Sequence, residues 1–330
     1  MVYSHAMSKV SIVIPIYKVE AYLLECLESI RRQTFGDFEV LMVDDGSPDG
    51  SADICRSFSE RDSRFRLIQQ TNGGVTAARR TGVSHATGEY VVFVDGDDSL
   101  PADSLEVLLR NMTDDVDMVV AQPDWNPLVQ TRRWVRVDEY RKLLINGELY
   151  LAMWAKIFRR NLLNDFTFAV PRKIRTGEDW IANLRMSFNT TKPVLLLPDC
   201  VYHYRVNQTS VSHTIRRTIE HERCVYEALI ASVPSDLIEE YRSSIAAAYA
   251  LIWVRETKGM VSLSGEAEAF RQLILQHISS KLKTLNTRDS LFLQCPNTFG
   301  RCILMMLRWL NGKRCSWMRL ISRQNGKVKL

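Results

Sequence analysis

Between Tyr90 and Asp98 an apolar run stops abruptly in three carboxylates, Asp95, Asp97 and Asp98. Tyr90 to Val94 combines aromatic and β-branched residues, which suit a pleated, buried surface, so the spacing predicts a strand. Its apolarity is continuous rather than alternating. Both faces are therefore expected to be covered, as in an α/β sheet. Acids just past a strand's carboxyl end lie where open α/β sheets bind ligands. Clustered like charges repel, and an all-oxygen ligand set matches a hard divalent ion such as Mg²⁺ or Mn²⁺. A solvated acidic turn ahead of a helix near Pro101 is the other reading of the same residues.

The flanking pattern decides between them. Val10 to Ile14 reads as a first strand ending at Pro15-Ile16-Tyr17. Ala21 to Gln33 reads as a helix with Leu23, Leu24, Leu27 and Ile30 on one stripe. Phe38 to Val43 is a second strand ending in the turn signal Asp44-Asp45-Gly46-Ser47. Ser51 to Glu60 is helical, Phe65 to Gln69 a third strand, and Val75 to Thr87 a helix rich in small residues. Such β-α alternation implies a parallel sheet with helices on both faces. Right-handed crossovers then bring Pro15, Tyr17, Asp44, Asp45 and the three later acids to one edge.

Beyond Leu105 the expected order is a helix to Asn111, a strand over Met118 to Ala121 and a loop over Pro123 to Thr131. Helices follow over Val137 to Asn146 and Leu149 to Phe158, and another opens at Arg175-Thr176-Gly177-Glu178-Asp179-Trp180. Two short strands, Val194 to Leu197 and Val201 to Tyr204, precede a helical region from about Thr214.

Five segments in this order resemble family 2 glycosyltransferases. They are Val-Ser-Ile-Val-Ile-Pro-Ile-Tyr at 10–17, Val-Asp-Asp-Gly-Ser at 43–47, Ala-Ala-Arg at 77–79, Gly-Glu-Tyr-Val-Val-Phe-Val-Asp-Gly-Asp-Asp at 88–98 and Gly-Glu-Asp-Trp at 177–180. Trp154 to Arg160 and Tyr202 to Arg205 resemble the bacterial capsule, exopolysaccharide and lipopolysaccharide branch. The resemblance implies a GT-A fold over 8–213, a helical extension over 214–330, and inverting, metal-dependent transfer of a hexose or N-acetylhexosamine from a UDP-sugar to a glycan or lipid-linked glycan. It places Pro15, Tyr17, Asp45, Arg79, Asp95 and Asp97 at the nucleotide, and Asp97, Asp98 and His203 at Mn²⁺ or Mg²⁺. It makes Asp179 the base with Glu178 beside it, and puts Lys156, His203 and Arg205 at the diphosphate or acceptor. Arg80 departs from the asparagine more usual at its position. Taken alone, Glu178 and Asp179 are also what the dipole favours at a helix start.

Net charge is +5, yet from Cys295 onward eight Lys/Arg residues stand with no Asp or Glu. Phe299 to Ile321 interleaves those cations with Trp309, Trp317 and aliphatic residues, a pattern suited to the surface of an anionic inner membrane. A core helix with a solvated basic face is the alternative. Seven scattered cysteines without a CxxC pair fit reduced thiols in a cytoplasm. Ser11 to Tyr17 is too short for a leader, and no nucleic-acid motif accompanies the charge. A sugar-1-phosphate nucleotidyltransferase would carry a Gly-rich, Arg-containing loop after the first strand, which is absent. A non-catalytic membrane-bound partner of another transferase would not need the carboxylate at 179.

Overall fold

The computed structural model describes residues 9–125, 127–207, 218–257, 263–278, 285 and 287–294. The basic amphipathic segment from Phe299 and the Thr209-to-Ser212 stretch lie outside the described residues. The chain divides into two compact units, one of Met1–Arg216 with Ala231–Pro234 and one of Arg217–Ile230 with Ser235–Leu330.

The first unit carries an eight-stranded sheet. Its strands are β1 (Val10–Ile16), β2 (Phe38–Asp44), β3 (Phe65–Gln69), β4 (Tyr90–Phe93), β5 (Met118–Pro123), β6 (Arg133–Val135), β7 (Lys156–Arg159) and β8 (Val194–Tyr202). Their spatial order is β3-β2-β1-β4-β7-β5-β8-β6. The first four are mutually parallel, β5 and β8 are parallel, and β7 runs antiparallel to both β4 and β5. The helices are α1 (Glu20–Arg31), α2 (Ser51–Arg61), α3 (Val75–His85), α4 (Ser104–Leu109), α5 (Val137–Ile145), the single turn α6 (Asp165–Phe168) and α7 (Glu178–Ser187).

Alternation along the strands builds two cores. Ile12, Ile14, Val40, Met42 and Val92 face one layer with Leu23, Leu27 and Ile30 of α1. Val13, Leu41, Val91 and Phe93 face the other with Ala182 and Met186 of α7. Both faces of the central strands are thus buried, which is why their sequence is apolar without a break. The α1 stripe runs through Leu23, Cys26, Leu27 and Ile30, whereas Leu24, expected inside, is exposed. Close packing explains the small residues of α3: a Cβ at Gly82 would lie 2.3 Å from Val13 Cγ1.

Three expectations are corrected. Leu149 to Phe158 is not a helix but an irregular approach to β7. Ala155 takes a left-handed φ of 55° there, which ends any helical run before the strand. The two short strands near 200 are one strand, β8, whose pairing with β5 shifts register around Pro198. Proline has no N–H for the ladder, so the strand continues through an irregularity. A further strand, β6, follows the loop after Pro123.

The second unit is helical in its described part: α8 (Ile219–Ile230), α9 (Ile238–Thr257), α10 (Gly265–Ile278) and α11 (Thr287–Gln294). Tyr226, Tyr249 and Phe270 meet edge to face at its centre, and Trp253 Nε1 donates to the Ala267 carbonyl at 3.0 Å. Among the described residues no helix is long and apolar enough to cross a membrane.

Candidate active site

Parallel strands end together, so β1, β2 and β4 deliver Tyr17, Asp45 and Asp95 to one edge. Asp45 N donates to the Ile16 carbonyl at 2.9 Å, which fixes the two strand ends side by side. The Asp45 carboxylate is buried and accepts from Gln70 Nε2 (2.7 Å), Gly73 N (2.8 Å) and Gly74 N (2.8 Å). A carboxylate offers about four acceptor positions, so one remains after these three. Asp44 instead braces its own turn, accepting from Ser47 N at 3.0 Å and Gln69 Nε2 at 3.2 Å. Tyr17 is 44% exposed, with the Lys18 ammonium 5.3 Å from its ring centre. Pro15 pairs with Val43 within the sheet.

The acid turn is not extended. Asp98 N donates to the Asp95 carbonyl at 3.1 Å, and this closure sends the three carboxylates in different directions. Asp95 and Asp97 would share a face only if this turn were extended. Asp95 Oδ1 accepts from Arg79 at 2.8 Å, and its N–H donates to Tyr202 Oη at 3.0 Å. Asp97 Oδ2 accepts from Asn207 Nδ2 at 3.1 Å. Asp98 is buried, accepting from Tyr202 Oη and from Arg205 N, both at 2.7 Å. Burial, reinforced by Asp95, pushes the Asp98 carboxyl up to about 8. Burial likewise raises Asp95 against the pull of Arg79.

Arg79 projects from α3 and is almost fully buried. It spans the site, binding Asp95 with one terminal nitrogen and Asp179 with the other. Its Nε is buried without a partner, and its charge is reinforced by both acids against the cost of burial. Asp179 sits in the first turn of α7, which starts after Gly177 at a left-handed φ of 89°. Glycine enters that conformation without steric cost. Asp179 Oδ2 accepts from Met153 N at 3.2 Å, and Asn183 Nδ2 donates to the Asp179 carbonyl at 2.9 Å. Burial, and then the adjacent Asp179, push Glu178 up to about 8.

Lys156, expected within a helix and at the diphosphate or acceptor, is a buried strand residue. Its ammonium donates to the carbonyls of Tyr150 (2.9 Å) and Ala152. Burial lowers it to about 7, against a raising influence from Asp179. With Asn183, which donates to the Leu151 carbonyl at 2.7 Å, it fastens the segment that presents Met153 N to Asp179. His203 is exposed, with Nδ1 2.9 Å from Asp124 Oδ2, and its backbone bridges Ser99 in the acid turn. Arg205 donates to the Asp97 carbonyl at 3.1 Å and to Glu25 at 2.5 Å.

The structure thus brings together Arg79, Asp95 and Asp179, and separately Asp97, Asp98 and Arg205. Tyr202, which joins the acid turn to β8, has no sequence role of its own. Its signal was its place in the Tyr202–Arg205 segment. Among the described residues no three His, Cys, Asp or Glu side chains form a complete metal cage. Mg²⁺-type ions commonly take only one or two carboxylates and complete their shell with substrate phosphates and water. Asp95 and Asp97 each keep one oxygen outside the hydrogen bonds described above, so the donor set fits such an ion.

The family model for glycosyl transferase family 2 matches residues 11–173. Two relatives of Bacillus subtilis strain 168, named as glycosyltransferases, are similar to this chain. EpsH is 30% identical over 72% of this chain and 72% of its own length, and EpsJ is 32% identical over 67% and 69%. Among solved structures, S. aureus TarS 1-349 in complex with UDP-GlcNAc superposes with a TM-score of 0.73 at 18% identity, over 92% of each chain.

Proposed function

The chain belongs to glycosyl transferase family 2 and has the GT-A fold, and from that premise we propose that it is an inverting transferase with Asp179 as its base. The donor is a UDP-sugar and the acceptor a hydroxyl of a bacterial surface glycan or its lipid-linked precursor. The observation that carries this reading is the Arg79 bridge. One buried cation fixes Asp179 of α7 against Asp95 at the end of β4, so a carboxylate stands beside the strand ends that would hold the donor. The UDP-GlcNAc named with TarS supports the choice of a uridine donor.

On this reading Tyr17 and Pro15 flank the uracil, and Asp45 uses its remaining acceptor position for a base N–H. Asp179 takes the proton of the acceptor hydroxyl as its oxygen bonds to the anomeric carbon. The bond from that carbon to the diphosphate oxygen breaks, and UDP leaves. Arg79 and the Met153 N–H hold the Asp179 carboxylate in one orientation, so little reorganisation is needed. A Mn²⁺ or Mg²⁺ ion would be held by the open oxygens of Asp97 and Asp95, with Asp98, engaged by Tyr202 and Arg205, and His203 as neighbours, and would stabilise charge on the departing diphosphate. Arg205 would clamp the phosphates. We assign 8–213 to catalysis and 214–330 to a helical extension. Its basic tail would hold the enzyme at the cytoplasmic face of the membrane.

Asp179→Asn tests the assignment. Transfer should fall by at least about 10²-fold, the scale of general-base catalysis, while calorimetry finds UDP binding unchanged. Normal turnover by the variant would remove Asp179 from the mechanism. Titration of UDP-glucose, UDP-galactose and their N-acetyl forms, with Mn²⁺ or with EDTA, would identify the sugar.

A further inference from the structure

Beside the acid turn, five aromatic rings form a continuous cluster, one pair stacked and the rest tilted, that the proposed chemistry leaves unused. Trp154 and Tyr202 lie face to face, with centroids 4.8 Å apart and planes 10° apart. Both are buried and belong to the core. Tyr150 and Tyr204 pack on Trp154 at 5.8 Å each. Trp125 caps them, 6.1 Å from Tyr150 and 6.2 Å from Tyr204. Exposure rises across the cluster, from 1% at Tyr202 to 58% at Trp125.

Held on a rigid aromatic base, the exposed Trp125 ring offers a flat apolar face of fixed orientation. The base is rigid because each part is anchored. Tyr202 Oη bonds Asp98, the Tyr150 carbonyl accepts from Lys156, and Met153, next to Trp154, donates to the proposed base. Asp124, next to Trp125, faces His203, next to Tyr204. The cluster is therefore tied to the acid turn on one side and to Asp179 on the other. Tyr150 Oη is buried without a hydrogen-bond partner, a polar group left over beside the apolar face.

Pyranose rings match this arrangement. Their C–H faces are apolar and flat enough to lie on an indole, while their hydroxyl edges seek exposed groups such as the Asp124 carboxylate. We propose that Trp125, supported by Tyr150 and Tyr204, is the stacking platform for a pyranose of the acceptor glycan. This rests on the glycosyl-transfer reading above. The platform's connection to the base, through Trp154 and the adjoining Met153 N–H, distinguishes it from a general hydrophobic patch, and its single open ring suits one sugar residue rather than an alkyl chain or a second copy of the protein.

The test uses the full chain saturated with UDP and Mg²⁺. Saturation-transfer NMR is recorded with methyl β-glucoside, methyl β-galactoside, methyl α-mannoside and methyl β-N-acetylglucosaminide, and with decyl phosphate as an alkyl probe. At least one glycoside should receive saturation, strongest on the protons of one ring face. The signal should fall at least about fivefold in Trp125→Ala and persist in Trp125→Phe, with UDP binding within about twofold of wild type in both. An unchanged glycoside signal in Trp125→Ala would overturn the platform. So would a response to decyl phosphate alone, a Trp125-dependent dimer by sedimentation with no glycoside response, or no response to any probe while UDP still binds. In each of these cases glycosyl transfer would stand. Failure of the wild-type chain to bind UDP or any of the four UDP-sugars would instead remove the transfer reading, and this proposal with it.

Discussion

Replacing Arg79 by methionine asks how much of the first unit's stability depends on the bridge between Asp95 and Asp179. The guanidinium is 3% exposed and the two carboxylates 29% and 18%. Removing one partner of a buried ion pair costs about 3–5 kcal/mol, because charge is left behind without compensation. Water reaches both carboxylates in part, which places this site at the lower end, about 3 kcal/mol. Arg79 Nε is itself buried and unpartnered, and its removal returns about 1 kcal/mol of that penalty. The expected net loss is about 2 kcal/mol. For a unit of this size that lowers the melting temperature by about 4–8 °C, read by circular dichroism. A double-mutant cycle with Asp179→Asn isolates the bridge. The pair should cost less than the sum of the singles by at least about 0.5 kcal/mol, since the amide leaves no stranded charge at position 179, Asp95 being stranded equally in both arginine variants. A methionine variant melting within about 1 °C of wild type, or strict additivity, would refute the reasoning.

Tyr202→Phe removes the hydroxyl shared by Asp95 N and Asp98. It should cost about 1–3 kcal/mol in urea denaturation and weaken Mn²⁺-dependent UDP binding by roughly tenfold. Glu178, raised to about 8 in the folded chain from an ordinary 4.5, keeps its proton where the unfolded chain has lost it. Its contribution to stability is therefore fully present below pH 4.5 and lost as pH rises to about 8. Glu178→Gln should raise the urea midpoint relative to wild type more at pH 8.5 than at pH 4.5; an equal difference at both would contradict this. Gly82→Ala forces a methyl into Val13 and should destabilise by about 1–3 kcal/mol, with Val13→Ala restoring part of the loss in thermal melts.

The parallel half of the sheet was legible because its strands are apolar on both faces and punctuated by turn residues: Asp44-Asp45-Gly46-Ser47 after β2 could hardly be misplaced. The convergence of Tyr17, Asp45 and Asp95 followed from topology alone. The antiparallel half was not. Leu149 to Phe158 carries neither proline nor glycine, and its break is an alanine in a conformation alanines seldom adopt. Composition gives no warning of it, and Lys156 was accordingly placed on a helix rather than a strand. The site's polar wiring was equally hidden. That Arg79 spans two acids, or that Tyr202 reaches across 104 residues to Asp98, depends on distances set by packing and not by local pattern. What sequence did supply was the set of residue types, and most of those bonded to one another belong to segments it had marked.

The reversed direction of β7 has a consequence for how such a scaffold can be varied. β5 runs toward the active edge and β7 away from it, so residues 124–155 leave that edge and return to it. An insertion or exchange at either end of this excursion would reshape the wall around the acceptor, while the donor half of the sheet keeps its strand order and its register. On the proposed reading, acceptor choice would lie in this excursion and donor chemistry in the parallel half, and chimaeras cut at Pro123 and Lys156 would test that division.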